Sequence, residues 1–442
     1  KCLVQEQPVL LKADIYDNLG LAYYKQKEYD IAKEMYKNAF ALYNENPSRL
    51  SSIIVNVMNH WGILLRDEEQ LADAEKMFLD AEKIYRNVLV NENIGLYSPG
   101  LAATLTNLGV LYQKAGGQFN LLKSGQMHLE ATNIYERLDS NGSKQYEPLI
   151  AYSARSAAAT YKSLQLWDSA VESLLKSFTI YKRLAEQNPT RYEPELAWAA
   201  FNLAQFYTSR YNFKAAEDEY TIAFAIFEKF ARINPSSYDP VMAHVLHNYG
   251  FLKIWSDQLL EARQYWCRSL TLYSGIISKG NSSYFTRYTE LSQSLTVLRD
   301  SLESLHEYSE ARIVQETMAV CMDSLLSVLP SDPYKEVAAT YYGNLSWYNL
   351  LLRDFPNAEK AALRCVELNP DAYAPKFTLA LAFLFNGQYT NAENLYSLIN
   401  NIADTETHNS YVKNCLWYLD NLEKQGITHP NIPKIRQLLQ QK

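Results

Sequence analysis

Apolar residues along most of the chain recur three and four positions apart, which is the spacing of one face of an α-helix. The clearest of these stripes joins a small residue to an aromatic residue four positions later, and it occurs six times. The six pairs are Ala39 and Tyr43, Ala81 and Tyr85, Ala131 and Tyr135, Ser177 and Tyr181, Ala223 and Phe227, and Ser269 and Tyr273. Because residues four apart share a side of a helix, these pairs predict buried helix faces.

A second pattern places two small residues twelve positions apart. It joins Gly20 to Ala32, Gly62 to Ala74, Ala158 to Ala170, Ala204 to Ala216, Gly250 to Ala262, and Ala380 to Ala392. Arg299 with Ala311, and Ser346 with Ala358, keep the spacing with a larger or polar first member, whereas Gly109 is offset by three residues and pairs with Ser124. Small side chains allow two helices to approach closely, so each pair predicts an A helix packed against a B helix in a hairpin.

Asn-Pro dipeptides separate some of the hairpins. Asn188-Pro189 returns 46 residues later as Asn234-Pro235, within a longer repeated segment. The residue before a proline is disfavoured in the α conformation, so each dipeptide predicts the end of a helix. The second prolines of the segment, Pro194 and Pro240, predict the start of the next helix, where a missing N–H is tolerated.

These patterns predict an all-α array of nine helix pairs over roughly residues 11–400. We expect seven long-period pairs in residues 1–330, two shorter pairs in 331–400, and closing helices in 401–442, with one or two helices over 410–439. The composition agrees, because 15 glycines in 442 residues is about half the average frequency of ~7%. Folds rich in β-turns or phosphate loops use more glycine, since it supplies positive φ angles.

Charge and cysteine content exclude several classes of protein. The net charge of −7 argues against nucleic-acid binding, which requires a concentrated positive surface. No apolar stretch reaches the ~18 residues of a membrane span, so no membrane partner is expected. We expect reduced thiols and a cytoplasmic location, although an upstream segment stays open because the chain starts at Lys1. The cysteines are odd in number and far apart: Cys2, Cys267, Cys321, Cys365 and Cys415.

Specific motifs resemble a known repeat family. Tyr16-x2-Leu19-Gly20-x2-Tyr23, followed by Ala32-x3-Tyr36, resembles the tetratricopeptide repeat pattern. Most steps are 42–49 residues long, and with an Asn before the Leu-Gly pair they resemble the repeats of kinesin light chains and of long-repeat bacterial arrays. The resemblance implies a right-handed α-α superhelix, a solenoid with a C-terminal capping helix. It also implies a concave groove, lined by the A helices, that binds a peptide or protein segment.

One register of the A helices carries mostly asparagine. It lies two positions before the small residue, and we call it the ladder. Its members are Asn18, Asn107, Asn202, Asn248 and Asn344, with His60 and Ser156 in the same register. Asparagine is a mediocre helix former, but its amide matches a peptide group in donors and acceptor. In similar repeat proteins such asparagines hold the backbone of a ligand; alternatively, each one bonds a loop or a neighbouring helix.

Charged and aromatic residues of the inferred groove favour different ligands. Arg66, Lys114, Arg155 and Lys162 would make its N-terminal half slightly basic and favour an acidic ligand, although solvated helix ends explain them equally well. The middle repeats offer Trp198, Phe201, Phe251 and Trp255. Aromatic side chains are typical interaction anchors, yet repeat cores also contain them, so both interpretations stay open.

Signals for catalysis are poor. His306-Glu307 starts a zincin-like motif, but residue 310 is Glu310 and the second histidine is missing. His244 and His247 lie three apart on one helix without a convincing third ligand. The Ser-x2-Lys pattern at Ser173 occurs without its accompanying motifs. We therefore expect no catalytic residues, no metal and no cofactor.

The leading hypothesis is a non-enzymatic interaction scaffold that binds a peptide or protein segment along the groove. The alternative is a regulator in which a signalling peptide changes the superhelical pitch. Self-association of the chain also stays open as a form of partner binding.

Overall fold

The computed structural model of the chain describes residues 2–45, 51–89, 93–140, 142 and 144–440, and within these the side chains of 11–42, 53–87, 93–140, 142, 144–399 and 402–440. The described residues form twenty α-helices and no β-strand. They divide into two compact units, Lys1–Arg210 and Tyr211–Lys442. The all-α repeat of helix pairs predicted from the sequence is confirmed.

Nine helices belong to the first unit. They are α1 (Cys2–Lys25), α2 (Tyr29–Glu45), α3 (Ser51–Asp67), α4 (Leu71–Ile84), α5 (Ile94–Ala115), α6 (Gln118–Asp139), α7 (Glu147–Ser163), α8 (Trp167–Gln187) and α9 (Pro189–Ser209). The odd-numbered helices are the predicted A helices and the even-numbered ones the B helices, and neighbours such as α1 and α2 or α5 and α6 pack against each other.

Eleven helices belong to the second unit. They are α10 (Phe213–Ile233), α11 (Pro235–Trp255), α12 (Leu259–Ser278), α13 (Phe285–Ser304), α14 (Tyr308–Leu325), α15 (Asp332–Leu351), α16 (Phe355–Leu368), α17 (Tyr373–Phe385), α18 (Tyr389–Ser397), α19 (Thr405–Lys424) and α20 (Ile432–Leu439). The last two lie within residues 401–442, for which the sequence predicted closing helices. Among the described residues, no helix is both long and apolar enough to cross a lipid bilayer.

The turns between A and B helices repeat one geometry. Most have three residues, and the middle one adopts a positive φ, as Lys27 does at 63° and Arg353 at 62°. The third residue closes the turn, since the N–H of Glu28 donates to the carbonyl of Tyr23 at 3.0 Å. This is the six-to-one hydrogen bond of a Schellman C-cap. The cap ends one helix and sets the direction of the next within three residues.

The Asn-Pro segments start helices one proline earlier than the sequence predicted. Asn188 caps α9, because its side-chain oxygen accepts a hydrogen bond from the backbone N–H of Arg191. Pro189 then occupies the first turn, where no N–H is needed. Pro194 therefore lies inside α9, and Pro240 lies inside α11 in the same way. The prediction that these second prolines mark helix starts is wrong.

The stripes of small and aromatic residues form the core. Tyr85, Tyr135, Tyr181, Phe227 and Tyr273 are at most 4% exposed, as are the small residues four positions before them. Tyr43, the remaining aromatic of the set, lies outside the described side chains. The predicted burial is confirmed for the five described pairs.

Helix hairpins close where a glycine of helix A meets a ring of helix B. A Cβ on Gly62 would lie 2.6 Å from the Phe78 ring, which leaves no room for any side chain. Gly109 meets His128 in the same way, and the Ser124 hydroxyl donates to the Gly109 carbonyl at 2.8 Å, which confirms the offset pairing. Burial lowers the pKa of His128 to about 4, so the ring packs as a neutral group at pH 7.

The described cysteines are not paired. Cys267, Cys321, Cys365 and Cys415 are free and buried, as predicted, and the side chain of Cys2 lies outside the described residues. Buried thiols of this kind behave as small apolar groups.

Candidate functional site

The ladder positions differ in what they bond. Asn18 donates from Nδ2 to the Asp14 carbonyl at 2.8 Å, and Asn248 donates to the His244 carbonyl at the same distance. Ser156 donates to the Tyr152 carbonyl at 3.1 Å. Each of these bonds returns to the same helix one turn earlier. In Asn18, which is exposed, the bond uses one amide N–H and leaves the other groups facing solvent.

Two ladder positions of the first unit bond the preceding A helix. Asn107 of α5 donates from Nδ2 to Asn59 Oδ1 of α3 at 3.1 Å. Asn59, itself buried, donates back to Thr104 Oγ1 of α5 at 2.9 Å. His60 Nδ1 lies 2.9 Å from Asp17 Oδ1 of α1. These contacts hold neighbouring A helices together.

Asn202 and Asn344 have no hydrogen-bond partner among the described residues. Both side chains are half-buried, so part of each amide faces the surroundings of its A helix. Asparagine offers two donors and one acceptor, and an amide in this position can bond the backbone of another chain.

The two kinds of ladder position predict different stabilities. Asn107→Ala removes the donor to the buried Asn59 oxygen, so we expect a loss of about 1–2 kcal/mol. Asn202→Ala removes no hydrogen bond to a described residue, so we expect a change below about 0.5 kcal/mol. Thermal unfolding followed by circular dichroism measures both, with Asn133→Ala on the exposed face of α6 as the control. Equal melting temperatures for Asn107→Ala and Asn202→Ala would contradict these assignments.

The basic residues predicted in the first unit are largely neutralised by carboxylates. Arg155 Nη1 lies 2.7 Å from Glu195 Oε2. Lys162 instead donates to Gln205 Oε1 at 3.2 Å, and burial lowers the pKa of its amine. The other two ion pairs join Arg66 to Asp67 and Lys114 to Glu69, each at 2.8 Å. These three ion pairs weaken the attraction that an acidic ligand would feel, because Arg66, Lys114 and Arg155 each already have a carboxylate partner.

The aromatic residues of the middle repeats separate into core and surface. Phe201 is 1% exposed and therefore belongs to the core, which excludes it as a ligand anchor. Phe251 is half-buried and lies 5.0 Å from the His247 ring, whereas Trp255 is 51% exposed. Trp198 is half-buried beside Phe201, with ring centroids 5.9 Å apart.

The two histidines of α11 are not part of a cluster of metal-ligating side chains among the described residues. His247 is buried, and burial lowers its pKa to about 4. Within the described part of the chain, no three His, Cys, Asp or Glu side chains are grouped so that they could hold a metal ion.

The second unit contains a cavity of about 390 Å³ between α15, α17 and α19, which we call the C-terminal cavity. Asn344 lines it at the ladder register of α15, and Thr378 lines it at the same register of α17. Thr340 and Trp347 lie on the same face of α15 as Asn344, at spacings of four and three. Tyr411 and Tyr418 of α19 also contribute to the wall. The cavity thus joins two A-helix faces and the first closing helix.

Packing of α19 shapes this cavity. Leu419 and Leu422 of α19 are fully buried in one cluster with Leu350 of α15. The Arg353 guanidinium donates to the Gly426 carbonyl at 3.0 Å, just beyond the end of α19. These contacts bring the aromatic residues of α19 over the faces of α15 and α17.

Aromatic rings form much of the cavity wall. The rings of Trp347 and Tyr418 meet edge to face with centroids 5.0 Å apart, and those of Phe377 and Tyr411 do so at 5.4 Å. The thiols of Cys365 and Cys415 also line the wall, and burial raises their pKa values to about 11 and about 12. They are therefore neutral and unreactive at pH 7.

Only one residue of this cavity, Asn344, is predicted from the sequence as a site residue. Glu336, Thr340 and Trp347 could have been added, since they lie eight and four positions before and three positions after it on one helix face. No local signal indicates Tyr411 or Tyr418, because α19 reaches α15 only through tertiary packing.

The first two helix pairs identify the repeat. Residues 11–87 match the tetratricopeptide repeat family model. This segment consists of tetratricopeptide repeats. It contains the Tyr16-x2-Leu19-Gly20-x2-Tyr23 motif and spans α1 to α4, so the prediction made from that motif is confirmed. No curated protein matches the chain.

Three solved structures are similar to the chain. BtubC (BKLC) from P. vanneervenii is 20% identical over 60% of this chain and 92% of its own, with a TM-score of 0.41. The apo form of the quorum sensor NprR from B. thuringiensis is 14% identical over 90% of this chain and 99% of its own, with a TM-score of 0.42. A putative kinesin light chain from Podosopora anserina with TPR-like repeats is 16% identical over 50% and 96%, with a TM-score of 0.37.

Proposed function

We propose that the chain is a non-enzymatic interaction scaffold that binds a peptide or protein segment against A-helix faces. One observation carries the proposal: the ladder residue Asn344 lines the C-terminal cavity, and its amide has no hydrogen-bond partner among the described residues. The cavity volume lies within the range of ~300–1,000 Å³ that is typical of ligand sites. A cytoplasmic location belongs to the same proposal, because the described cysteines are buried free thiols.

The arrangement suits a peptide better than a rigid surface. An amide can bond the main chain of an extended segment, whereas the spaces between aromatic rings can take its side chains. Main-chain bonds then supply affinity, and the side-chain sites supply specificity. The first unit offers a second ladder amide of the same kind at Asn202.

The test uses peptides selected on the purified chain from a displayed library of random 12-residue sequences. A selected synthetic peptide is titrated by calorimetry into the wild type, Asn344→Ala and Asn394→Ala. Asn394 lies exposed on the B helix α18 and is the matched control. We expect Asn344→Ala to weaken binding by about 5- to 100-fold, because a desolvated peptide group loses its partner. Asn394→Ala should bind like the wild type.

Equal affinity of Asn344→Ala and Asn394→Ala for every selected peptide would overturn the assignment of this site. Failure of the library to yield any binder would overturn the scaffold proposal itself. Small-angle scattering of the complex separates the two modes considered from the sequence, since compaction on binding supports the regulator and an unchanged profile supports the scaffold. Sedimentation of the free chain tests self-association.

A further inference from the structure

We infer that the C-terminal cavity selects a cationic side chain, so that the bound segment carries an arginine there; this inference rests on the proposed function. The charge of the lining is its basis. Glu336 is the one ionisable side chain among the described lining residues that is charged at pH 7, and no Lys, Arg or His lines the cavity with it.

Glu336 is available to a ligand. It is exposed on α15, and among the described residues its carboxylate has no ion pair and accepts no hydrogen bond. Two lysines that adjoin lining residues in the sequence have other contacts. Lys335 pairs with Asp332 at 3.1 Å, and Lys376 lies over the Tyr373 ring at 5.6 Å. No ion pair within the described part of the chain therefore neutralises the carboxylate.

Aromatic faces add to this preference. Trp347, Tyr411 and Tyr418 line the cavity, and the faces of such rings attract cations because of their quadrupole. The ring centroids of Trp347 and Trp417 are 6.0 Å apart, and the two ring planes are tilted by 35°. The combination of several rings and one carboxylate is the composition that recognises organic cations, and it repels anions.

The amides favour a guanidinium over a simple ammonium. Asn344, Asn369 and Asn414 line the cavity together with Glu336. A guanidinium carries five N–H donors in a planar fork and also stacks on aromatic rings. An ammonium has three donors around a single point. Oxygens at several places on the wall are therefore satisfied more completely by arginine.

A purely apolar side chain would fit less well. It would cover the Asn344 amide and shield the Glu336 carboxylate from water without replacing their hydrogen bonds, which is unfavourable for both groups. The volume exceeds that of one side chain, so residues beside the arginine enter the cavity and contact its apolar wall.

The probes are five libraries of capped tetrapeptides, each with one fixed residue and random neighbours. The fixed residue is arginine, citrulline, lysine, norleucine or glutamate. Citrulline has the shape of arginine without its charge. Peptides retained by the full chain are quantified by mass spectrometry, and the best arginine sequence is titrated by calorimetry beside its citrulline twin. We expect the arginine peptide to bind about tenfold more tightly than the citrulline twin, and the glutamate library to be the least retained.

The protein variant is Glu336→Gln, which keeps size and helix packing but removes the charge. It should weaken the arginine peptide about fivefold to tenfold and leave the citrulline twin nearly unchanged. Glu406→Gln, an exposed carboxylate at the start of α19, is the control and should change neither. Loss of charge on both sides should weaken binding no more than loss on either side alone, because one interaction is removed in each case.

The outcomes distinguish a failure of the cation preference from a failure of the proposed scaffold function. Equal affinity for arginine and citrulline, or additive effects of citrulline and Glu336→Gln, would overturn the cation preference. If the cation preference fails but neutral peptides bind Asn344→Ala more weakly than the wild type, the scaffold proposal stands without the cation preference. Retention of no peptide from any library would overturn both.

Discussion

Replacing Phe227 by alanine is expected to lower the free energy of unfolding by about 3–5 kcal/mol. The Phe227 ring on α10 is 0% exposed and continues the stripe that starts at Ala223, four residues earlier. Its centroid lies 6.5 Å from that of Tyr238 on the next A helix. Truncation removes buried apolar area and leaves a cavity that rigid neighbouring helices fill only in part. The expected loss in the free energy of unfolding is therefore large for a single core substitution.

Urea unfolding followed by circular dichroism measures this change. Phe119→Ala is the matched control, because Phe119 on α6 is 69% exposed and its loss should change stability by less than about 1 kcal/mol. A loss below about 1 kcal/mol in Phe227→Ala would show that the stripe faces solvent. The helix faces derived from the sequence would then be incorrect.

A single methyl group at Gly250 should destabilise the chain by about 2–3 kcal/mol. A Cβ at this position would overlap the Trp266 ring of the paired B helix. That ring is 3% exposed, and its Nε1 donates to the His247 carbonyl at 2.9 Å, so it cannot move without losing a buried hydrogen bond. Gly250→Ala therefore forces either the ring or the two helices apart.

The control substitution is expected to change stability in the opposite direction. Gly275 lies inside α12, and no atom of a neighbouring group lies within 4 Å of the place that a methyl group would take, so Gly275→Ala should stabilise the helix by about 0.5–1 kcal/mol. A Trp266→Leu background should remove most of the effect at Gly250, because the smaller side chain makes room. Chemical unfolding of the variants tests this, and a neutral Gly250→Ala would contradict the close approach of α11 and α12.

The sequence predicts those features that depend on short spacings. The pair Ser177 and Tyr181 and the offset pair Gly109 and Ser124 both follow from helix periodicity and hairpin geometry. The helix starts near the prolines were harder to predict. Asn188 ends one helix and caps the next at the same residue, so the next helix begins at the first proline and not at the second. The turns were harder still. A low glycine content predicts few residues with positive φ, yet eight described non-glycine residues adopt such an angle. The Schellman hydrogen bonds of the repeated turns stabilise several of them.

Prediction of the site was limited by tertiary structure. The ladder register could be read from the chain, but whether an asparagine bonds inward depends on the neighbouring helix. Asn107 donates a hydrogen bond to Asn59, which is 48 positions away, whereas Asn202 has no hydrogen-bond partner among the described residues. Phe201 could not be assigned to core or surface from its spacing alone. The C-terminal cavity depends on α19, whose position follows from buried contacts of Leu419 and Leu422.

The central claim is that a peptide binds to A-helix faces, and photo-crosslinking tests it most directly. A selected peptide that carries benzoylphenylalanine is irradiated with the full chain, and mass spectrometry locates the attached residues. We predict attachment within α15, α17 or α19, at residues that line the C-terminal cavity, and competition by the unlabelled peptide. Competed attachment confined to residues of the B helices α16 and α18 that do not line the cavity would contradict the claim.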